Sequence, residues 1–397
     1  MDQRDCIEEA EAEAVIIGGG ISGLACARHL HDAGIPFVLV TDRLGGRLAL
    51  SKRGHYLGAV MFNNDYVHVK QHARKSFKNR PWQSFIWDGT KGVNFMLRMN
   101  FLKVFRLSKV FGEFSSVLNR FRTQAPHTCQ KTLMEQDPLL RRLVSQSAED
   151  FVREKRIEDL TERFLGPVAG AVFLCDWRQM NAFHFCIGIS CTGNGACNAD
   201  WTDTIDSLTR GYTDKIIIDR VEAITETDDG RAYRVRTGER QYLSERVVVS
   251  VPAAAGSELL DIPKAARAID RHVFHIDGER RALYRPGRSM LMGPDEEIRL
   301  FFSLPDGIDV VYSENSEPDL SRYYENHTII EHLFWQPAIQ LSQREWRPLQ
   351  PRPNLFTIGD YNVCGLEDSY LTGLFAANKI IEQVRRHSSS SQGSAQE

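Results

Sequence analysis

The sequence predicts an α/β chain in which a parallel sheet with flanking helices interleaves with a second domain of α+β type. Three observations carry that reading. Residues 14–24 run from an apolar strand through a glycine turn into a helix, the opening of a βαβ unit. Two more continuous apolar runs, 246–251 and 354–358, lie far down the chain, so the sheet draws on distant segments. At 397 residues the chain also exceeds what one core normally holds.

The elements follow in order. Val15, Ile16 and Ile17 form a short buried strand. Gly18, Gly20 and Gly23 then fill the three positions of a dinucleotide fingerprint. The first permits a tight turn, the second leaves room for a pyrophosphate, and the third lets the helix that opens at Ile21 and Ser22 sit against the strand. Leu24, Ala25, Ala27 and Leu30 recur at helical spacing, Gly34 ends the helix, and residues 36–40 are a second strand. Residues 76 to about 205 read as largely helical and aromatic-rich. Strands resume at 215–218, and 232–236 and 241–243 alternate about turns at Gly230 and Gly238. Residues 265–344 read as short strands and loops, and a last helix runs from about Glu367 to Arg385.

The expected division is therefore discontinuous. Residues 14–75, 206–262 and 345–386 form the nucleotide domain, and 76–205 and 263–344 the second domain. Residues 1–13 are an acidic tail, and the Ser/Gln-rich 387–397 is expected to be disordered.

Composition excludes several classes. A formal net charge of -3 argues against a nucleic-acid partner. The eight cysteines include no C-x-x-C pair, so neither a metal site nor a disulfide framework is indicated, and a reducing cytoplasm fits. The acidic start lacks the pattern of a secretory signal. The longest apolar stretch, 164–175, contains Gly166 and Pro167 and is too short to span a bilayer.

A second motif follows the second strand: Asp42, Arg43, Leu44, Gly45, Gly46, Arg47. This D-R-x-G-G-R run after a dinucleotide fingerprint resembles the flavin-containing amine oxidase and phytoene desaturase superfamily. Further blocks resemble it in the same order. Residues 56–62, with Tyr56, Gly58, Ala59, Val60 and Met61, resemble the segment beside the isoalloxazine ring. Residues 164–174 resemble a substrate-domain stretch of the desaturase-like branch. Gly359 and Asp360 resemble the ribityl-binding Gly-Asp. Leu366 and Glu367 resemble the start of the helix facing the flavin pyrimidine, and Val221 matches the position that meets the adenine.

The resemblance implies a Rossmann-like FAD-binding domain and non-covalent FAD. FAD chemistry suits these residues. A pyrophosphate favours the glycine turn and an arginine such as Arg43 or Arg47, ribityl hydroxyls favour an acceptor such as Asp360, and a reduced ring favours a positive helix end.

The chain departs from the family pattern at the ribose slot, at residues 198–203 and at Tyr56, which occupies an often acidic position. Thr41 stands where the family has a ribose-binding acid, Asp42 follows it, and the loop to Gly45 is two residues shorter. Residues 198–203 replace the usual glycine-glycine-methionine segment. Cys364 lies near the flavin end without the motif for covalent attachment, and reads as a packed cysteine.

The resemblance implies an FAD-dependent, amine oxidase-like oxidoreductase that removes a hydride from a C–N bond of an amine or reduced N-heterocycle, with a small apolar or aromatic amine as substrate. Two alternatives stay open: a desaturase or isomerase acting on C–C bonds, and a flavin- or nucleotide-binding protein without catalysis. Flavin oxidases need little acid–base machinery, so catalytic residues are not legible. Tyr56 and Trp335 are candidates for lining the flavin. His184, His272 and His275 read as structural.

Residues 96–122 combine an apolar stripe, from Phe101 through Phe111, Phe114 and Leu118 to Phe121, with a basic face that includes Arg98, Lys103, Arg120 and Arg122. Such a helix can lie on a membrane. The favoured reading is a helix packed inside the second domain. The oligomeric state is not legible.

Overall fold

The computed structural model describes residues 8–48, 50, 54, 58–59, 61–78, 81–98, 101–194, 196–262, 266–284, 287–342 and 345–393. Its centre is a parallel five-stranded sheet in the order Leu355–Thr357, Arg246–Val249, Ala14–Gly19, Val38–Leu44, Ile216–Ile218. Three distant stretches of chain therefore meet in one sheet, and the fingerprint strand lies in the middle.

Side-chain alternation sorts the faces of that sheet. Val15 and Ile17 pack with Tyr233, Val235 and Tyr242 of an antiparallel meander. Ala14 and Ile16 pack on the other face with Leu24 and Leu30 of the helix Ile21–Asp32, and with Phe375 and Ile380 of the closing helix. The closing helix crosses the fingerprint helix so tightly that a Cβ on Gly373 would lie 2.3 Å from the Ser22 carbonyl oxygen. The meander also takes up Glu8–Glu11, which pairs parallel with Arg240–Ser244. Part of the acidic 1–13 segment is thus an edge strand.

The second body is a seven-stranded sheet with a helical layer against it. Here the structure differs from the sequence reading. Residues 265–344 contain one long antiparallel ribbon, Ala266–Arg280 against Tyr324–Ser342, rather than short strands and loops. Register shifts at three places break the two-residue alternation, and the polar run Glu325, Asn326, His327, Thr328 faces solvent on the sheet edge. Ser84–Trp87 and Gly92–Asn94 join this sheet, so the stretch before residue 95 is not helical.

The helix Phe101–Gln124 buries Phe114, Leu118 and Phe121, with Phe114 edge-on to Phe183 and Phe121 edge-on to Trp346. Arg122, expected on a basic face, is buried. It makes a bidentate pair with Asp368 at 3.0 and 2.8 Å and a second bond to Asp65 at 2.9 Å. The closing helix runs Leu366–Gly393, past the Arg385 end expected. Among the described residues no helix is long and apolar enough to cross a membrane.

Candidate functional site

At the end of the central strand the three fingerprint glycines meet three different surroundings. Gly18 has φ +106°, and a Cβ there would strike the Ser250 carbonyl at 2.5 Å. A Cβ on Gly23 would lie 2.0 Å from the Gly18 carbonyl, so only glycine lets the helix approach the strand this closely. Gly20 is the opposite case: a Cβ there meets no atom within 4 Å. Its φ of -74° and ψ of 177° suit any residue. Gly20 is also the N-cap of the helix, without a side-chain cap and with no acid in the first turn. An uncapped helix start with open space before it is a ready cradle for an anion. Beside it the Ser22 hydroxyl bonds that of Ser250 at 2.7 Å.

The second motif closes over this cradle. The second strand runs Val38–Leu44, so Asp42 and Arg43 extend it rather than turn away, and Leu44 pairs with Gly19. Gly45 donates to the Gly19 carbonyl at 2.8 Å, and a Cβ on Gly46 would lie 3.2 Å from the Gly20 Cα. Thr41 is buried, and its hydroxyl accepts from Gly19 N at 2.9 Å and donates to the Arg43 carbonyl at 2.8 Å. The slot expected to hold a ribose acid is therefore occupied by a side chain that braces the glycine turn. Asp42 is exposed. The Arg43 guanidinium sits 4.9 Å from the centre of the buried Trp335 ring.

Arg47 is paired inside the protein. Its Nη1 lies 2.7 Å from Asp360 Oδ2 and donates to the Ala338 carbonyl at 2.9 Å. Burial pulls the guanidinium pKa down, but the Asp360 carboxylate outweighs it, and the net shift is upward. The Gln340 amide completes the group: with its nitrogen turned toward Asp360, the orientation that satisfies both ends, it donates to Asp360 Oδ1 at 3.2 Å and accepts from Ala253 N at 3.0 Å. Gly359, at φ +121°, donates to Thr372 Oγ1 at 2.8 Å, and a Cβ there would lie 3.5 Å from Ser22 Oγ. The N-terminal fingerprint and the C-terminal Gly-Asp block thus stand side by side.

Gly58 and Ala59 are clamped from three sides. A Cβ on Gly58 would strike the Arg47 carbonyl at 2.0 Å. Tyr312 donates its hydroxyl to the Gly58 carbonyl at 2.7 Å, and Trp201 Nε1 donates to the Ala59 carbonyl at 2.6 Å. Met61 and Trp335 pack in one apolar cluster with Leu174, Val273, Leu300 and Phe302. Tyr312, Trp201, Ser250 and Gln340 escaped the sequence reading, because nothing in local spacing marks a side chain that reaches the site from another element. Only Ser250 carried a signal, as the small polar residue that ends a buried strand. Tyr56 and Val60 lie outside the described residues, and Val221 opens a meander strand opposite Thr237.

The closing helix begins at Leu366, as the sequence indicated within a residue. The Glu367 carboxylate accepts from the backbone N–H groups of Val67, His68 and Val69 at 2.9–3.0 Å, and lies 2.9 Å from His68 Nδ1. Burial would raise its pKa, but these donors hold it below the ordinary carboxylate range. Cys364 is a free, buried thiol pushed up to about 12 by burial. His184 sits between Phe173 and Phe183, its pKa pushed down to about 3 by burial, and His275 is equally buried. Among the described residues there is no cluster suited to a metal.

Comparison with known proteins gives concordant results. The family model described as flavin containing amine oxidoreductase matches residues 21–275. The fold is similar to wild-type putrescine oxidase bound to putrescine, at 13% identity and TM-score 0.68, covering 94% of this chain and 100% of that one. It is similar to cyclohexylamine oxidase from Brevibacterium oxydans IH-35A, at 15% identity and TM-score 0.68, covering 95% and 100%. A fatty acid isomerase of P. acnes that produces CLA matches at 13% identity and TM-score 0.67, covering 94% and 98%.

Proposed function

The chain belongs to the flavin-containing amine oxidoreductase family, an FAD-dependent oxidoreductase by that membership, and from this premise we propose that it removes a hydride from a C–N bond of an amine or reduced N-heterocycle. The observation that carries the proposal is the open, uncapped helix start at Gly20, held beside Gly359 and under the 45–47 turn.

These residues suit FAD at its phosphates. The space in front of Gly20 admits a pyrophosphate, and the backbone N–H groups at Ile21, Ser22 and Gly23 would meet it. Toward the flavin the helix starts at Leu366, and its first turn carries Glu367 and Asp368, both engaged within the protein by the 67–69 backbone and by Arg122, so the N–H groups of that turn rather than a bare positive end would face the pyrimidine. The residues suit FAD least at the adenosine ribose, since Thr41 is engaged with Gly19 and Asp42 is exposed. When bound, FAD supplies the two-electron acceptor.

The chain's own residues position and shield. The Arg47–Asp360 pair ties the 45–47 turn beside the Gly20 cradle to the Gly-Asp block that would hold the ribityl chain. Tyr312, Trp201 and the Arg47 carbonyl fix the backbone at Gly58 and Ala59, which would pass beside the ring. Trp335, with Leu174, Val273, Leu300 and Phe302, forms an apolar wall that excludes water and favours the neutral amine, the form whose nitrogen lone pair assists hydride loss. That wall also favours the second reading, desaturation or isomerisation of an apolar C–C substrate.

The experiment is spectroscopic. The purified chain should carry flavin bands at about 370 and 450 nm, and anaerobic addition of small apolar or aromatic amines should bleach them. Bleaching by apolar alkenes alone would move the assignment to the C–C reading. A chain that takes up no flavin would contradict both.

A further inference from the structure

Two arginines of the 42–47 motif lie against one stretch of the long ribbon and meet different partners there. Arg47 Nη1 donates to the Ala338 carbonyl at 2.9 Å and is neutralised by Asp360 at 2.7 Å. The exposed Arg43 carries its guanidinium over the Trp335 ring, 4.9 Å from the centre, and among the described residues no carboxylate pairs with it. Its neighbour Asp42 does not serve, since successive side chains of the strand Val38–Leu44 leave on opposite faces. The backbone that carries Arg43 is fixed. The Thr41 hydroxyl donates to the Arg43 carbonyl at 2.8 Å, and Leu44 pairs with Gly19. Thr41, which fills the ribose slot, thus helps to set where this cation stands. Its platform belongs to the apolar wall: Trp335 packs with Met61, Leu174, Val273, Leu300 and Phe302, and Met61 lies two residues past the clamped Ala59.

A guanidinium over an indole gives up its face and keeps its N–H edge, the fork that matches a carboxylate in two parallel hydrogen bonds. We propose that Arg43 receives a carboxylate of the substrate, so that the site takes amines with an apolar or aromatic body and one acid group. The assignment deepens the amine-oxidising reading and rests on it for the place of the wall beside the flavin. An apolar wall with an unneutralised cation at its edge fits a ligand that is apolar along its length and anionic at one end. It disfavours a diamine, whose second ammonium would meet a like charge. The guanidinium is held on the wall rather than on the glycine turn, where the uncapped helix start already offers donors to an anion.

The test is calorimetric titration of the full chain with benzoate and with benzamide, which share a ring and differ in charge. Flavin uptake is read separately from the visible spectrum, so a failure of flavin binding is distinguished from a failure of the Arg43 assignment. The wild type should bind benzoate about tenfold tighter than benzamide, and the advantage should shrink as salt is raised. Arg43→Gln should weaken benzoate about tenfold and leave benzamide within about twofold. Arg43→Lys should recover only part of the loss, because an ammonium lacks the planar fork. An unchanged melting temperature would confirm that both variants fold. In anaerobic bleaching, phenylglycine should half-saturate the wild type at about tenfold lower concentration than benzylamine, and the gap should close in Arg43→Gln. The proposal is overturned if benzoate and benzamide bind the wild type alike, or if Arg43→Gln binds benzoate like the wild type. It is equally overturned if Arg43→Gln lowers FAD affinity about tenfold and leaves benzoate unchanged, which would give the guanidinium to the cofactor's phosphates.

Discussion

The cradle at Gly20 and the neighbouring group around Asp360 are built on opposite plans. Around Gly20 the work is done by backbone: no side chain fills the space, no acid stands in the helix's first turn, and two glycines are required by contacts near 2 Å. Around Asp360 the work is done by side chains that bind one another. Arg47 holds Asp360, Gln340 holds Asp360 from the other side, and Glu367 holds the 67–69 turn. Thr41 belongs with the second plan, since its hydroxyl braces Gly19. Arg47, Asp360 and Glu367, motif charges that look like ligands in a sequence, are thus engaged within the protein, and on our proposal recognition of the phosphates falls on the backbone.

Removing Arg47 should have the largest effect on stability. Arg47→Ala leaves the buried Asp360 carboxylate with the Gln340 amide but without its countercharge, and a loss of about 3 kcal/mol in chemical denaturation is expected, characteristic of breaking one partner of a buried pair. If stability were unchanged, Asp360 would not depend on the Arg47 charge and the contrast between the two plans would weaken. Thr41→Val comes next. It leaves Gly19 N without its acceptor, and a cost of about 1–2 kcal/mol is expected in the same measurement.

The ribose end sharpens the contrast differently. With no acid turned in at position 41 or 42, FAD should bind no more than about tenfold tighter than FMN in fluorescence titrations, where a ribose clamp would widen the gap.

The smallest effect is on pH dependence. Glu367 is held below its ordinary range in the fold, so its contribution is present above the unfolded value and is lost as pH falls through the folded one. The urea midpoint of the wild type should therefore fall in mild acid more steeply than that of Glu367→Gln.

Much of the parallel sheet was legible because its strands are continuous apolar runs, and the glycine turn was legible because Gly18 and Gly23 answer geometric demands that other residues fail, while Gly20 completes the spacing and leaves its space open. The identities of the paired groups were less so. Arg47 and Asp360 were each marked in the sequence by their motifs, but that they meet each other, across more than three hundred positions, carries no local signal. The long ribbon 266–342 was hidden by its register shifts and polar outer edge. Tyr312 and Trp201 carry no local signal, since their partners are carbonyls more than a hundred positions away.

The central claim is that the backbone at Gly20, rather than a motif arginine, receives the phosphates. The most direct measurement is a pair of titrations on wild type and Gly20→Val, one with FAD and one with riboflavin, which lacks the phosphates. The Gly20 backbone tolerates valine, so the variant should fold with an unchanged melting temperature. FAD affinity should fall about a hundredfold, which corresponds to about 2.7 kcal/mol, while riboflavin affinity stays within about twofold. Full FAD affinity in a folded Gly20→Val protein, or equal losses for both ligands, would contradict it.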